Sequence, residues 1–200
     1  MNYLAHIYLS RDEEMVSIGN FMADHVKGSK YKSYNEQVQI GILLHRQIDS
    51  FTDAHPVPRR SKRRLHDRYG LFRGIIIDIF YDHFLAKNWN EYSTVNLKVY
   101  TENFYELLGR NTEVLPEKVL MLSNYMIKDN WLLSYAELEG IQKVLDGMNR
   151  RTGSISEMNR AVEDLRENYK EFENDFTLFF KDLCDFSDRK MNEIKQLYER

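Results

Sequence analysis

The sequence predicts an all-α fold. Only three prolines and nine glycines interrupt 200 residues. Apolar side chains recur three and four residues apart over most of the chain, and β-branched residues seldom alternate with polar ones. A chain of this length fits one domain, 1–200, whose core needs no covalent staples.

Residues 1–10 are apolar except for Asn2, His6 and Ser10, which predicts a short buried segment. A helix is expected over 12–27, with Met15, Ile18, Gly19, Met22 and Val26 on its apolar face and Asn20 and Asp24 opposite, facing solvent. Gly28-Ser29 ends it. The next helix covers 41–53, where Ile40, Leu44, Ile48 and Phe51 form one stripe and His45, Asp49 and Asp53 step by four along another. Side chains four apart converge on one object. The chain leaves this helix at Ala54-His55-Pro56, because the residue before a proline disfavours helical angles. Residues 74–87 are apolar on every side of a helical wheel, the mark of a buried helix, yet Asp78 and Asp82 stack inside it beside His83. Further helices are expected over 91–112, ending near Gly109, over 117–128 and over about 136–149. Ser154 or Ser156 is expected to cap the carboxy-terminal helix. There Leu165, Tyr169, Phe172, Phe176, Phe179, Phe180 and Leu183 stay in register, as one long helix or two.

Net charge is -3, which excludes a bulk nucleic-acid binder, and the one cysteine, Cys184, excludes an internal disulfide framework and suits a reducing, cytoplasmic setting. No apolar run approaches the ~20 residues of a membrane span, and the amino terminus lacks a basic secretory n-region. The segment from His55 to Arg73 carries seven Arg and Lys against one Asp, a basic patch on an acidic body.

Two buried carboxylates on one helix need a positive partner. One answer is a salt bridge to Arg46 or Arg73. The other is a divalent cation, for which Asp oxygens and imidazoles suit Mn²⁺ or Mg²⁺. His25, His55 and His66 read as surface residues, and Cys184 does not read as a nucleophile.

With these residues assembled, the chain resembles the acyl carrier protein phosphodiesterases. The resemblance rests on MNYLAHIYLS at the start, GNFMADHVKG at 19–28, GILLHRQIDSFTDAHP at 41–56, DIFYDHFLAKNW at 78–89, SNYMIKDNWLLSY at 123–135 and GIQKVLDGMNRR at 140–151. It implies a helical fold similar to a distorted HD-domain phosphohydrolase. It also implies hydrolysis of the phosphodiester joining 4′-phosphopantetheine to a serine of holo acyl carrier protein, with Mn²⁺ or Mg²⁺ as cofactor. An ordinary HD site has an adjacent His-Asp pair. Here His45-Arg46 takes that place, and the Asp arrives at 49.

The expected ligands are Asp24, His45 and Asp78, with Asp49, Asp82, His83 and His6 as further ligands or orienting partners. Asp49 or Asp82 is the expected proton acceptor, and Arg46 the phosphoryl ligand. Arg59, Arg60, Lys62, Arg63 and Arg64 are expected to dock the acidic carrier protein. Two rival readings stand beside this one: an HD-type phosphohydrolase acting on nucleotides, and a non-catalytic binding protein whose buried acids pair with arginine.

Overall fold

The computed structural model describes residues 1–199; their regular structure is entirely helical, with no strand among them. Eleven α-helices among these residues share one hydrophobic core: α1 (Tyr3–Tyr8), α2 (Glu14–Met22), α3 (Glu36–Ala54), α4 (Pro56–Arg64), α5 (Arg73–Lys87), α6 (Leu97–Arg110), α7 (Glu117–Lys128), α8 (Trp131–Ser134), α9 (Leu138–Arg151), α10 (Ala161–Glu167) and α11 (Tyr169–Lys195). None of them is long and apolar enough to cross a membrane.

Local chemistry sets the boundaries near the site. Asn35 caps α3 by accepting from the Val38 N–H, so this helix starts five residues before the predicted Gly41. It stops at Ala54 because His55 is extended ahead of Pro56. Pro56 then opens α4 at the position where a missing N–H costs nothing. His55 is half-buried rather than a free surface residue: its Nδ1 accepts from the Val57 N–H and its Nε2 lies 3.4 Å from Asp182. The helix predicted over 12–27 closes at Met22, and Asp24 sits in a single 3₁₀ turn, Ala23–His25. That turn lifts Asp24 out of helical register with Asn20. The helix predicted from residue 91 starts at Leu97, because Asn96 caps it by accepting from the Lys98 N–H. Neither Ser154 nor Ser156 caps a helix; Ser156 is buried and donates to Asn149 Oδ1.

Near the site, α2 packs closely against α3. A Cβ built on Gly19 would lie 2.2 Å from the Val38 carbonyl oxygen, and one on Gly41 would lie 2.1 Å from that of Val16. Only glycine lets the two backbones approach this closely. The contact places Asn20, the residue after Gly19, against His45, one turn beyond Gly41.

Helix α5 runs through the core, and α11 packs on α3, α4 and α5. The Phe172, Phe176, Phe179 and Phe180 side chains of α11 are fully buried, each contributing about 2–3 kcal/mol of apolar burial. The same helix buries Asp175, which accepts from Ser61 Oγ at 2.7 Å and pairs with Arg60 and Arg64 of α4. Breaking a buried ion pair by removing its cations leaves an uncompensated charge, so Arg60→Ala with Arg64→Ala is expected to cost about 3–5 kcal/mol in urea unfolding. Adding Asp175→Asn should restore most of that loss. A double variant as stable as the parent would contradict the assignment.

Candidate functional site

His6 of α1, Asn20 of α2 and His45 and Asp49 of α3 meet at one point. The two imidazoles stack with ring centroids 4.0 Å apart and planes 19° apart. Asn20, fully buried, fixes both rings. Its Nδ2 donates to the His6 carbonyl at 2.8 Å and to Ser10 Oγ at 2.9 Å. Its Oδ1 therefore faces His6 Nδ1, at 2.8 Å. An amide oxygen only accepts, so Nδ1 carries the proton and Nε2 presents a lone pair. His45 is held the same way, its Nδ1 donating to the Asn20 carbonyl at 2.8 Å. A helical wheel alone turns Asn20 toward solvent; the structure buries it completely, because the Gly19–Gly41 contact closes over it.

Both Nε2 atoms point at Asp49. His6 Nε2 is 3.3 Å from Asp49 Oδ1, and His45 Nε2 is 3.1 Å from Asp49 Oδ2 and 3.2 Å from Asp24 Oδ1. His6 Nε2 is buried and has no hydrogen-bond partner. A lone pair facing a carboxylate oxygen is an acceptor against an acceptor, and a cation between them relieves it. His6, His45 and Asp49 each offer a ligand atom, all within 4.8 Å of one another. Two imidazole nitrogens and a carboxylate, with Asp24 at the mouth, fit a divalent metal. The backbone and amide contacts of Asn20 supply the outer support that such ligands need.

Protonation follows the same layout. Burial alone would push both histidines down, and the neighbouring His45 adds to this at His6, which is neutral. At His45 the nearby Asp24 and Asp49 carboxylates overcome burial and raise it to about 9. Burial acts against the charge of Asp49, but the His45 imidazole beside it holds it well below the usual carboxylate range. His45 thus takes a proton in the metal-free protein. Its ordinary value is about 6.5, so its ion pairs stabilise the metal-free fold fully below that pH. The contribution is lost as pH rises through about 9. Thermal melts in chelator from pH 6 to 10 should show that decline, and His45→Gln should not.

The other expected residues lie elsewhere. Neither Arg46 nor Arg73 pairs with the two acids of α5. Asp78 meets the Met1 ammonium at 3.1 Å, and fully buried Asp82 accepts from the Leu4 and Ala5 N–H groups at 2.7 and 3.2 Å. In place of a cationic side chain, a terminal ammonium and a helix start supply the positive character. Burial pushes Asp82 up to about 7, and these donors resist the rise. Both carboxylates thereby anchor α1, and with it His6, rather than join the two-histidine group. His83 faces away: its ring nitrogens meet the Tyr135 carbonyl and the Tyr169 hydroxyl, each at 2.7 Å. Arg46 donates to the Val26 and Gly28 carbonyls at 3.0 and 2.8 Å, holding the loop that follows Asp24. Of the basic run, Arg60 and Arg64 hold Asp175, while Arg59 donates to the Asp53 carbonyl and Lys62 to its carboxylate. Arg63 alone of the five shows no such partner among the described residues.

Sequence reasoning missed Asn20 as an organiser, and Asp175. Asp175 has a readable signal, since it interrupts the phenylalanine stripe three residues after Phe172 and four before Phe179.

The profile of the acyl carrier protein phosphodiesterase family matches residues 1–183. The chain is 31% identical to an acyl carrier protein phosphodiesterase of Photorhabdus laumondii over 191 residues, covering 95% of this chain and 96% of that protein. It is 32% identical to one of Serratia proteamaculans over 181 residues, 90% and 94% of the two chains. Against one of Escherichia coli it is 30% identical over 191 residues, 95% and 99%. No solved structure matches. The match runs through every residue of the two-histidine cluster, and the chain belongs to the acyl carrier protein phosphodiesterase family.

Proposed function

We propose that this chain is a metal-dependent phosphodiesterase that hydrolyses the bond between 4′-phosphopantetheine and the serine of holo acyl carrier protein. The observation that carries the metal is the buried, unpartnered His6 Nε2 facing Asp49. His6, His45 and Asp49 would hold the ion, Mn²⁺ or Mg²⁺, with Asp24 beside them. When bound, it supplies Lewis acidity toward a phosphodiester oxygen and a water nucleophile at neutral pH.

The chain's own residues do the rest. Asn20 fixes both imidazoles with their Nε2 lone pairs toward the site. Asp49, facing both Nε2 atoms, would supply negative charge beside the cation. Asp24 is the carboxylate open to solvent at the mouth, its side chain 66% exposed. It is deprotonated because His45 holds it low against burial, and it is placed to take the proton of the attacking water. Asp82 does not suit that role, since it is enclosed against α1. The reaction adds water across the phosphodiester; the serine hydroxyl leaves on apo carrier protein, and the phosphate stays on pantetheine.

Incubation with holo carrier protein and Mn²⁺ is expected to yield free phosphopantetheine. A metal-loaded protein that leaves the carrier intact would end this reading. Of the basic run, Arg59 and Arg63 have no carboxylate at ion-pair distance among the described residues, and their charges would meet an acidic partner. Such a contact would act on association rate and weaken with salt.

A further inference from the structure

A trough of about 740 Å³ opens between α7, α8 and α9, a size that suits a small-molecule ligand. Trp131, Tyr125, Val144 and Met148 give it an apolar lining, and Lys143, Arg150 and Arg151 stand around it against one acid, Asp129. Unlike Arg60 and Arg64, these three cations have no carboxylate at ion-pair distance among the described residues.

The wall of the trough is tied to the start of the chain, which carries His6. Its wall residue Ser134 precedes Tyr135, whose hydroxyl accepts from Asn2 Nδ2 at 3.2 Å, one turn before His6. Tyr3, beside Asn2, packs its ring on Phe21 at 5.3 Å. Burial pushes the Tyr3 hydroxyl up to about 12, Asp24 on the cluster side adds to the rise, and Arg151 on the trough side opposes it. Outward from the cluster, the groups are metal-binding side chains, a phenol, guanidinium groups without a carboxylate partner and an apolar lining. A phosphate carrying a long, mostly uncharged chain shows that same order of chemistry.

Resting on the function proposed above, we infer that this trough seats the phosphopantetheine arm of the substrate, with Arg151 toward the phosphate and the arm lying over Trp131, Val144 and Met148. The trough would then select the arm-bearing side of the bond. The carrier protein's serine would leave from the open side of the cluster, at Asp24.

Gly147 gives a clean test. It lies on the trough within α9, and a Cβ there meets only the Arg150 guanidinium, at 3.8 Å. Gly147→Leu therefore fills the trough while favouring the helix. Free 4′-phosphopantetheine would be titrated by calorimetry into the Mn²⁺-loaded parent, Gly147→Leu and Arg151→Gln, with Mn²⁺ uptake reporting an intact cluster. The expected result is binding by the parent, weakened at least about tenfold in Gly147→Leu by overpacking and about tenfold in Arg151→Gln by loss of a charged donor. Parent-like affinity in either variant that still takes up Mn²⁺ would overturn the assignment, as would a parent that hydrolyses holo carrier protein yet does not bind the free arm. A parent that binds the arm in the trough but leaves holo carrier protein intact would spare this inference and remove the hydrolytic reading instead.

Discussion

Asp49→Asn is expected to lower Mn²⁺ affinity and turnover of holo carrier protein by on the order of 100-fold or more, while the helical circular dichroism spectrum stays unchanged. The asparagine keeps shape and volume but loses the charge to which both Nε2 atoms point, His6 at 3.3 Å and His45 at 3.1 Å. Residues that merely support metal ligands already cost about 10–100-fold when changed, so a residue within reach of the ion stands at or above that range. The proton on His45 supplies an independent readout. Asp24 and Asp49 together raise it to about 9, and removing one carboxylate should bring its titration down, visible by NMR of the imidazole in chelator. An Asp49→Asn protein that takes up Mn²⁺ like the parent would place the metal elsewhere.

Gly41→Ala should lower stability sharply for the addition of a single methyl group. Its Cβ would lie 2.1 Å from the Val16 carbonyl oxygen and 2.7 Å from the Asn20 amide nitrogen, both backbone atoms that cannot swing aside. The α2–α3 pair must part. Overpacking of this kind costs about 1–3 kcal/mol and more where backbone is the obstacle. The shift also moves Asn20 off the two imidazoles, so metal affinity should fall with the urea midpoint. Gly109→Ala is the control: nothing lies within 4 Å of its Cβ, and a helical Gly→Ala change should gain about 0.4–1 kcal/mol. Equal stability of the two variants would contradict the close approach.

These two residues mark what is legible in the sequence. Asp49 announces itself by standing four residues from His45 on a polar stripe, and a helical wheel is enough to see that. The helices themselves are equally plain, since an apolar period near 3.6 is local information. Gly41 looks like any glycine in a helix, because the Val16 carbonyl that requires it lies on another element. Asn20 is hidden for the same reason: opposite its own helix's apolar stripe, it reads as wet, and only the α2–α3 crossing buries it. Asp78 and Asp82 show a middle case. Burial and the need for a positive partner are readable from the apolar helix around them. The partner is not, because the Met1 ammonium and the first amides of α1 carry no side-chain signature. Arg46, Arg60 and Arg64 illustrate the reverse error. A charge written in sequence looks available until the fold supplies carbonyls or a buried carboxylate for it.

We propose that the His6–His45–Asp49 cluster, loaded with a divalent ion, cleaves phosphopantetheine from holo carrier protein. Intact-mass spectrometry of the carrier protein after incubation with the parent and with His45→Ala, each in Mn²⁺ and in chelator, tests it most directly. The expected result is loss of the phosphopantetheine mass with the parent in Mn²⁺ alone, and retention in the other three reactions. Equal loss in chelator, or with His45→Ala, would contradict the account.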